Sequence, residues 1–360
     1  MGHPERTTVL ISGGGPAGIV LGLLLSRAGI EVTVLEKHAD FLRDFRGDTV
    51  HASTMRLLDD LGLGEKFRRL PQGRLGNLQI PDRHGSPVTV ADFSRLPEPY
   101  TYVGMVPQWD LLNLLAQEAQ QEPTFSLHME SESLSLLQEH GRVAGVRYRS
   151  RTDGVERELR ADLTVVCEGR NSSLRQQLNL PEVQYPVPFD TWWFRLPRHP
   201  DDRQEVRIAP LIRGSEVLLT LHRTDYYQLA YLAPKGSDPH LREEGVDSFR
   251  ARVTALSPDF ADRVGALSTM DQVHLLDVRL NLLRRRWAEG MLCIGDAAHA
   301  MTPVAWGSTW RSRTPWPPRG SWLLLYSAGL SRSEIWRGSS DVVCCPPARF
   351  RPFSGRSTGR

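Results

Sequence analysis

The sequence predicts an α/β protein in which a parallel sheet is joined to a second region rich in β-strands. Three observations carry this prediction. An apolar, β-branched run near the N-terminus ends in a glycine-rich turn, two later apolar runs end in polar turns that contain glycine, and much of the remaining chain alternates as strands do. A buried parallel strand has this apolar, β-branched character because both faces of its sheet are covered.

Length and charge narrow the class of protein. The 360 residues, 40% of them hydrophobic, suffice for one large domain or two ordinary ones. Residues 1–305 carry 35 basic and 40 acidic side chains, whereas 306–360 carry nine Arg and only Glu334 and Asp341 as acids. The acidic body argues against nucleic acid as a partner.

The chain predicts neither a membrane anchor nor a metal site. Its apolar runs, such as Ile19–Leu25, fall far short of the roughly 20 residues that span a bilayer. Met1–Thr8 lacks the apolar region of a signal peptide. The four cysteines form no CxxC pair and no cluster with histidine at metal spacing. We therefore expect a cytoplasmic protein with no integral membrane segment and no metal.

The N-terminal run and the turn after it predict a dinucleotide site. The sequence predicts a strand over Thr7–Ser12, and the turn that follows, Gly13–Gly18, matches GxGxxG. A helical pattern runs from Pro16 to Ala28, with Gly29 at its C-cap. A second strand is predicted over Glu31–Leu35, directly before Glu36.

Each glycine of this motif has a distinct physical role. Gly13 permits the tight turn, Gly15 lets the backbone approach a pyrophosphate, and Gly18 lets the helix pack closely on the sheet. The helix N-terminus attracts phosphates, and Glu36, 18 residues after Gly18, is placed to accept hydrogen bonds from a ribose. The candidate contacts are Gly13, Gly15, Pro16, Ala17, Gly18, Glu36 and Lys37. The alternative is a purely structural βαβ turn.

This unit alone does not separate FAD from NAD, and two later segments bear on the choice. Ala161–Arg175 reads as a buried strand that runs into the polar turn Glu168-Gly169 and then a helix. Gly290–Pro303 reads as a strand that stops at the turn Gly295-Asp296 in the run GDAAHAMTP.

Together these motifs resemble the class A flavoprotein aromatic monooxygenases related to p-hydroxybenzoate hydroxylase, over roughly residues 5–305. The resemblance implies FAD as cofactor, an FAD-binding Rossmann-type domain and a second, mixed β-sheet substrate domain. It also implies that Asp296 bonds the ribityl chain and that the GDAAHAMTP turn, which includes Gly295 and Pro303, lies close to the flavin. The family's second motif is normally Asp-Gly, and here Glu168-Gly169 stands in its place, so we expect its polar role to persist with shifted geometry.

Further site residues follow from the resemblance alone. Arg46 stands where the family has an arginine near the flavin, although a loop arginine is otherwise most often a surface residue, and Gln108 stands where a glutamine contacts the ribityl chain. We expect His299 to support its turn rather than to transfer protons, because the sequence offers it no partner acid. No catalytic residue is assigned.

The resemblance and the strand-like alternation together predict the domain organisation. We expect a discontinuous FAD-binding domain over 1–74, 103–184 and 277–305, a substrate domain over 75–102 and 185–276, and an aberrant, disordered tail over 306–360. Six aromatic residues of the substrate domain suit a pocket for an apolar ring, although each taken singly suits a core position: Trp192, Trp193, Phe194, Tyr226, Tyr227 and Tyr231.

The chemistry implied is hydroxylation of an aromatic or similar electron-rich small molecule. NAD(P)H would serve as a transient reductant, and O₂ would react with the reduced flavin to give a C4a-hydroperoxide. The chain has one GxGxxG and no redox-active CxxC, which argues against the two-domain disulfide reductases. Two alternatives stay open: an FAD-dependent reductase or dehydrogenase on the same fold, and a catalytically defective product.

The second alternative comes from the C-terminal stretch. After Ala305 the family has a glycine-rich continuation of the form GxGxNLAxQDA, whereas this chain holds five of its nine tryptophans and nine arginines in 306–360. Tryptophan has the single codon TGG, so a frame shifted by one base must read Trp306-Gly307 as glycine and Trp316-Pro317 as alanine. The neighbouring residues are compatible with G-V-N-L-A-V-Q-D-A-V-A-A in that frame. We therefore expect a frameshift near Ala305; the alternative is a natural Arg/Trp-rich tail.

Overall fold

The computed structural model describes residues 5–42, 49–82, 86–202, 208–223 and 226–300. The helices are α1 Pro16–Arg27, α2 Ala52–Asp60, α3 Gly64–Arg68, α4 Gln108–Ala119, α5 Ser173–Gln177 and α6 Asp238–Leu256. The strands are β1 Glu5–Ser12, β2 Val32–Leu35, β3 Thr49–Val50, β4 Gly73–Leu75, β5 Asn77–Pro81, β6 Pro87–Asp92, β7 Val103–Met105, β8 Phe125–His128, β9 Ser131–Glu139, β10 Arg142–Ser150, β11 Glu156–Val166, β12 Glu182–Tyr185, β13 Phe189–Pro197, β14 Ile208–Arg213, β15 Glu216–His222, β16 Tyr226–Pro234, β17 His274–Leu276, β18 Leu280–Leu283, β19 Trp287–Ala288, β20 Met291–Cys293 and β21 His299–Ala300.

The largest sheet holds the predicted nucleotide-binding unit. Its parallel strands run β20-β11-β1-β2-β8, with β9 and β10 added antiparallel beside β11 and with β19 beside β20. The predicted βαβ unit is present, because α1 joins β1 to β2 and the two strands pair in parallel. Gly29 follows α1 with a φ of +77°, and its N–H donates to the Ser26 carbonyl, as a helix-ending glycine does.

The buried strand that the sequence predicts from Ala161 is longer than predicted. It begins at Glu156 and forms one continuous strand, β11, because its outer half pairs with β10 while its inner half lies between β1 and β20. Helix α4 begins at Gln108. Met105 belongs to β7, and Pro107 occupies the N-cap of α4.

The second large sheet runs β14-β15-β16-β13-β17. We predicted a mixed sheet, and this is wrong: every strand pair in it is antiparallel. The physical reason is the short connections, since β14, β15 and β16 follow one another too closely for a crossover helix. Gly214, with a φ of +62°, turns the chain between β14 and β15.

Residues 75–102 do not join this sheet. We expected them to form one sheet with 185–276, but β5 and β6 pair only with each other, and β5 packs beside β14. The short strand β4 instead pairs with β7, which also pairs with β3 in a separate three-stranded sheet. The strands of these small sheets, β3 to β7, lie between β2 and β8 of the large nucleotide-binding sheet in the order of the chain. The domain boundaries given above stay a prediction.

Each large sheet packs against helices through its own apolar core. In the first, Ile11, Ile19 and Val34 join apolar residues of α4 in one cluster. In the second, Trp192, Phe194 and Tyr231 pack against Phe249 of α6, a helix interrupted at Gly245 where φ is +81°. The described helices include none long and apolar enough to cross a membrane.

Candidate cofactor-binding site

The site lies at one edge of the large sheet, where four parallel strands end together. Ser12 of β1 pairs with Val166 of β11 and with Leu35 of β2, and Val166 pairs in turn with Cys293 of β20. The chain moves from β1 to β2 in one direction and returns to β11 on the other side of β1. A crevice opens at such a reversal of strand order, outside the carboxyl ends of the strands, and ligands of α/β sheets bind there.

The first turn at this edge is the glycine-rich one, and the structural reason for a glycine differs from one position of the turn to the next. Gly13 has a φ of +108°, and a Cβ there would lie 2.6 Å from the Cys167 carbonyl oxygen. A Cβ on Gly18 would lie 2.0 Å from the Gly13 carbonyl oxygen. The tight turn at Gly13 and the close helix packing at Gly18 therefore follow the sequence prediction.

Gly15 is the exception, because the protein itself does not require a glycine there. It is the N-cap of α1 with an ordinary φ of −73°, and a Cβ would meet no atom within 4 Å. Pro16 and Ala17 follow as the first residues of the helix. The open space beside Gly15, at a helix N-terminus, is what a phosphate group would occupy.

Glu36 is buried beside this turn, with 2% of its surface exposed. Its Oε2 accepts a hydrogen bond from the Gly14 N–H at 2.8 Å, and its Oε1 accepts one from the His38 N–H at 3.0 Å. The carboxylate is thus fixed against the glycine turn. Lys37, the next residue, is exposed.

The turn after β11 carries Glu168, which the protein holds through its own hydroxyl groups. The Ser12 hydroxyl donates to Glu168 Oε1 at 2.8 Å, and the Ser172 hydroxyl donates to Oε2 at 2.6 Å. Oε2 also lies 3.3 Å from the Leu174 backbone nitrogen, in the first turn of α5. Gly169 has a φ of +84° and open space around its Cα. The acid therefore ties the ends of β1 and β11 to the start of α5.

The turn after β20 brings the third motif to the same edge. Gly295 has a φ of +59°, and a Cβ on it would lie 3.0 Å from Ala17 Cβ, so this turn touches the start of α1. Asp296 is exposed, and no hydrogen bond joins it to another described residue. A carboxylate at this position is open to a ligand.

Sequence reasoning missed Arg175, which holds two of these turns together. Its Nη1 donates to the Ala297 carbonyl at 3.2 Å, and its Nη2 donates to the Arg170 carbonyl at 3.2 Å. The side chain is 7% exposed and lies 3.6 Å from the Glu182 carboxylate. No sequence signal marks it, because its partners are backbone carbonyls 5 and 122 positions away.

The remaining residues that the sequence analysis singled out lie in other parts of the chain. Gln108 is the first residue of α4, directly after β7. His299 is buried in β21, where it pairs with Leu282. Arg46 and Pro303 lie outside the described residues, as do the whole of 306–360 and the predictions made for them.

Two buried thiols lie directly under the site. Cys167 follows β11, and Cys293 ends β20. Burial raises the pKa of the Cys167 thiol well above its usual value and raises the pKa of Cys293 to about 12. Both therefore stay protonated near neutral pH and are not poised as nucleophiles.

These residues fit FAD on the structure's own geometry. The helix N-terminus at Gly15 has room for a pyrophosphate, Glu36 is fixed beside it for a ribose, and the exposed Asp296 reaches the same edge from the third turn. A ligand that extends from Glu36 to Asp296 crosses the reversal point of the sheet, as an extended dinucleotide does.

Comparison with known proteins agrees with this geometry. A family model described as an FAD binding domain matches residues 6–307. The 6-methylpretetramide 4-monooxygenase of Streptomyces rimosus is 32% identical over 99% of this chain and 84% of its own length. The kynurenine 3-monooxygenase of Salinispora arenicola is 28% identical over 83% of this chain and 68% of its own length. The structure of the myxobacterial chondrochloren halogenase CndH superposes with a TM-score of 0.72 at 19% identity, over 84% of this chain and 70% of the other.

The site and these matches define an FAD-binding flavoenzyme. The chain belongs to the FAD-binding-domain family of flavoprotein monooxygenases. The likeness to the halogenase shows that the fold is shared, and it carries no conclusion about the reaction, since fold alone does not determine function.

Proposed function

We propose that this protein hydroxylates an aromatic or similarly electron-rich small molecule, with O₂ as the oxygen source and NAD(P)H as a transient reductant. Bound FAD supplies the redox chemistry that activates O₂. The observation that carries the proposal is the edge of the large sheet at which the three family motifs converge. The monooxygenase names of the sequence relatives support the reaction class.

In this proposal the three turns share the binding of FAD. The N–H groups at the start of α1 beside Gly15 hold the pyrophosphate, and Glu36 accepts from the adenosine ribose. Asp296 accepts from the ribityl chain, and Gln108, at the start of α4, contacts the same chain. The full set of proposed FAD contacts is Gly13, Gly15, Pro16, Ala17, Gly18, Glu36, Lys37, Arg46, Gln108, Glu168, Gly169, Gly295, Asp296 and Pro303.

The role of Glu168 in this proposal is to position other groups. Both of its oxygens accept hydrogen bonds from protein hydroxyls, so it fixes the turn that carries Gly169. The open backbone at Gly169 then faces the crevice and allows a flat ring system to come close. The glutamate side chain, one methylene longer than the family's usual aspartate, reaches Ser172 and the start of α5.

The second sheet's role is to exclude water and orient the substrate. On the face of that sheet away from α6, Leu219 and Leu221 pack with Leu75, Val103 and Met105. A dry, apolar wall of this kind protects reactive oxygen chemistry from side reactions with water. The cytoplasmic location expected from the sequence stays a prediction.

The decisive experiment measures whether an oxygen atom of O₂ is incorporated into the product. We expect the purified protein, supplied with FAD, NADH or NADPH and a panel of phenols, to consume O₂ and to incorporate ¹⁸O from ¹⁸O₂ into product by mass spectrometry. Gly15→Val is the matched control, because it should remove the cofactor and leave the sheet intact. Anaerobic turnover with no label in air would instead identify the reductase or dehydrogenase alternative.

We also propose that residues 306–360 are read in a shifted frame. The codon constraints on Trp306, Trp310 and Trp316 support this, as does the end of the family match at residue 307. The alignment with the 6-methylpretetramide 4-monooxygenase nevertheless runs over 99% of the chain. Sequencing the gene across codons 300–320 decides the matter: an unshifted frame that encodes Trp306 onward in independent isolates contradicts the proposal.

A further inference from the structure

Strand β13, which lies between β16 and β17 in the second sheet, has two chemically different faces. Trp192, Phe194 and Leu196 point to α6, where they join its apolar core, and all three are at most 1% exposed. Because successive side chains of a strand alternate, Thr191, Trp193 and Arg195 lie on the opposite face. We call this the inner face of the sheet.

The inner face continues across the neighbouring strands in register. Thr191, Trp193 and Arg195 pair with Leu232, Ala230 and Gln228 of β16, and beyond Ala230 lies Leu219 of β15. Trp193 and Leu219 pack against a cluster that contains Leu75, Val103, Met105 and Leu221. The inner face is thus apolar on the side of Trp193 where Ala230 and Leu219 lie, whereas on its other side Trp193 pairs with the exposed residue His274 of β17.

The inner face contacts β7, and the helix that follows β7 in the chain, α4, packs on the nucleotide-binding sheet. Val103 and Met105 belong to β7, which leads directly into α4. At the start of β13, Asp190 accepts from Lys235 Nζ at 2.7 Å, and the same ammonium group lies 2.7 Å from Asp277. The Asp277 carbonyl accepts at 2.8 Å from Arg170, two residues after Glu168.

Two polar groups on this face are buried with no hydrogen-bond partner among the described residues: Thr191 Oγ1 and Trp193 Nε1. Thr191 is 1% exposed, and Trp193 is a half-buried residue whose Nε1 is itself shielded. The adjacent Trp192 shows the ordinary situation, since its Nε1 donates to Asp238 Oδ1 at 2.8 Å. Trp192 and Trp193 are adjacent in sequence but lie on opposite faces of the sheet, and only the indole N–H of Trp192 has a hydrogen-bond partner among the described residues.

An unsatisfied buried N–H or O–H destabilises the folded state, and such groups in proteins commonly have a role that compensates for this. Alternate positions on a strand lie roughly 6.5–7 Å apart, so Thr191 and Trp193 present two donors along one line. An indole N–H only donates, whereas a threonine hydroxyl can donate or accept. Their natural partner is an oxygen atom with free lone pairs.

We propose that Trp193 Nε1 and Thr191 Oγ1 are specificity-determining groups that orient the substrate by donating to uncharged oxygen atoms on its ring system. This inference rests on the proposed function and names the substrate class: a flat aromatic molecule with a carbonyl or phenol oxygen at the ring edge. Both donors are uncharged groups; Thr191 lies between Leu232 and Leu276 of the neighbouring strands, and Trp193 lies between Ala230 and His274. The nearest described cation on β13, Arg195, is exposed and stacks over the Tyr226 ring at 4.7 Å.

The test compares two probes that differ only in the oxygen, 1-tetralone and tetralin, by calorimetric titration of the FAD-loaded full chain. Trp193→Phe removes the donor and keeps an aromatic ring. We expect the dissociation constant of 1-tetralone to rise about three- to tenfold, the value of one neutral hydrogen bond, with little change for tetralin. Thr191→Val should act in the same direction.

Thermal unfolding of the ligand-free variants gives a second readout that needs no probe. Trp193→Phe and Thr191→Val remove unsatisfied groups, so their melting temperatures should stay level or rise. Trp192→Phe is the matched control on the other face: it loses the bond to Asp238, and it should lower the melting temperature without changing the 1-tetralone affinity. If Trp193→Phe destabilises the protein as much as Trp192→Phe, or leaves 1-tetralone affinity unchanged, Trp193 is a packing residue and the proposal is overturned.

These outcomes are independent of turnover. If the protein incorporates no label from ¹⁸O₂ but 1-tetralone still loses affinity in Trp193→Phe, the proposed reaction fails and the recognition of ring oxygens stands. If label is incorporated and neither probe distinguishes the variants, the reaction stands and this inference fails.

Discussion

At the scale of single residues, the glycines of one motif show that the same residue type can be required for opposite reasons. Gly18 is constrained by the protein, since its neighbour is a backbone carbonyl 2.0 Å from the place a Cβ would occupy. Gly15 has no such constraint, because a Cβ there would meet no atom of the described residues within 4 Å. Substitutions at these two positions should therefore separate folding from cofactor binding.

For Gly15→Val we expect loss of FAD with the fold retained. The side chain would fill the space at the N-terminus of α1 that a pyrophosphate needs, while the φ of −73° suits any residue. The ratio of flavin to protein absorbance after desalting measures the loss. Gly76→Val is the control, because that glycine also has open space around it but lies away from the site. A yellow Gly15→Val protein with full occupancy would disprove the assignment.

Gly18→Ala should instead destabilise the protein whether or not FAD is present. The new methyl group must displace the Gly13 turn or move α1 off the sheet, and overpacking of this kind typically costs about 1–3 kcal/mol. Urea denaturation of the cofactor-free protein measures the change in the free energy of unfolding. An unchanged midpoint would show that α1 shifts freely and that the close packing is unimportant.

His51 gives a prediction about pH. Burial lowers its pKa below the ordinary value of 6.5, so the folded protein resists protonation that the unfolded chain accepts. The unfolded state then binds more protons below pH 6.5, and stability falls with pH by at most about 1.4 kcal/mol per unit until the folded pKa is passed. His51→Phe should flatten the stability curve in this window and leave it unchanged above pH 7. An equally steep fall in the variant would assign the effect to other groups.

At the scale of elements, Asp190 fastens the start of β13 to the chain segment after β17. It is 4% exposed and accepts from Lys235 Nζ at 2.7 Å, from the Gly236 N–H at 3.0 Å and from the Val278 N–H at 3.0 Å. The carboxylate thus joins three segments that are distant in sequence. Asp277, which also pairs with Lys235, is more exposed, with 42% of its side chain accessible.

We expect Asp190→Ala to lower the free energy of unfolding by about 1–3 kcal/mol, because two backbone N–H groups and an ammonium group lose their acceptor. Asp277→Ala is the comparison, and it should change stability by less than about 1 kcal/mol, since an exposed ion pair contributes little. Chemical denaturation of both variants in the same buffer provides the measurement. Equal losses would show that burial of Asp190 is not what gives the contact its strength.

At the scale of the whole molecule, the shifted frame makes a prediction about cofactor retention. Replacing 306–360 by the sequence encoded in the frame shifted by one base should increase the fraction of protein that copurifies with FAD. It should also raise the resistance of the protein to urea. The reason is that the family's glycine-rich helix N-terminus favours the anionic reduced flavin. A chain that stops at Ala305 is the control. Equal retention by the restored, present and shortened chains would contradict the proposal.

The sequence by itself determined the nucleotide-binding half of the molecule. Its βαβ unit, the Gly13 turn, the close packing at Gly18 and the convergence of the three motifs all depend on local signals: a buried run, a glycine that the backbone requires and a helix start. The parallel strands then bring those local signals to one edge of the sheet.

Only the tertiary structure decided the faces of β13 and the partners of the buried polar groups. Trp192 and Trp193 are the same residue type at adjacent positions, and each lies in an apolar cluster, so alternation alone does not determine which indole meets α6. Arg175 and Glu168 likewise depend on partners far along the chain or on the backbone, which leave no pattern in composition. Contacts between segments distant in sequence are set by how the sheets pack, and for that reason the structure was needed to find them.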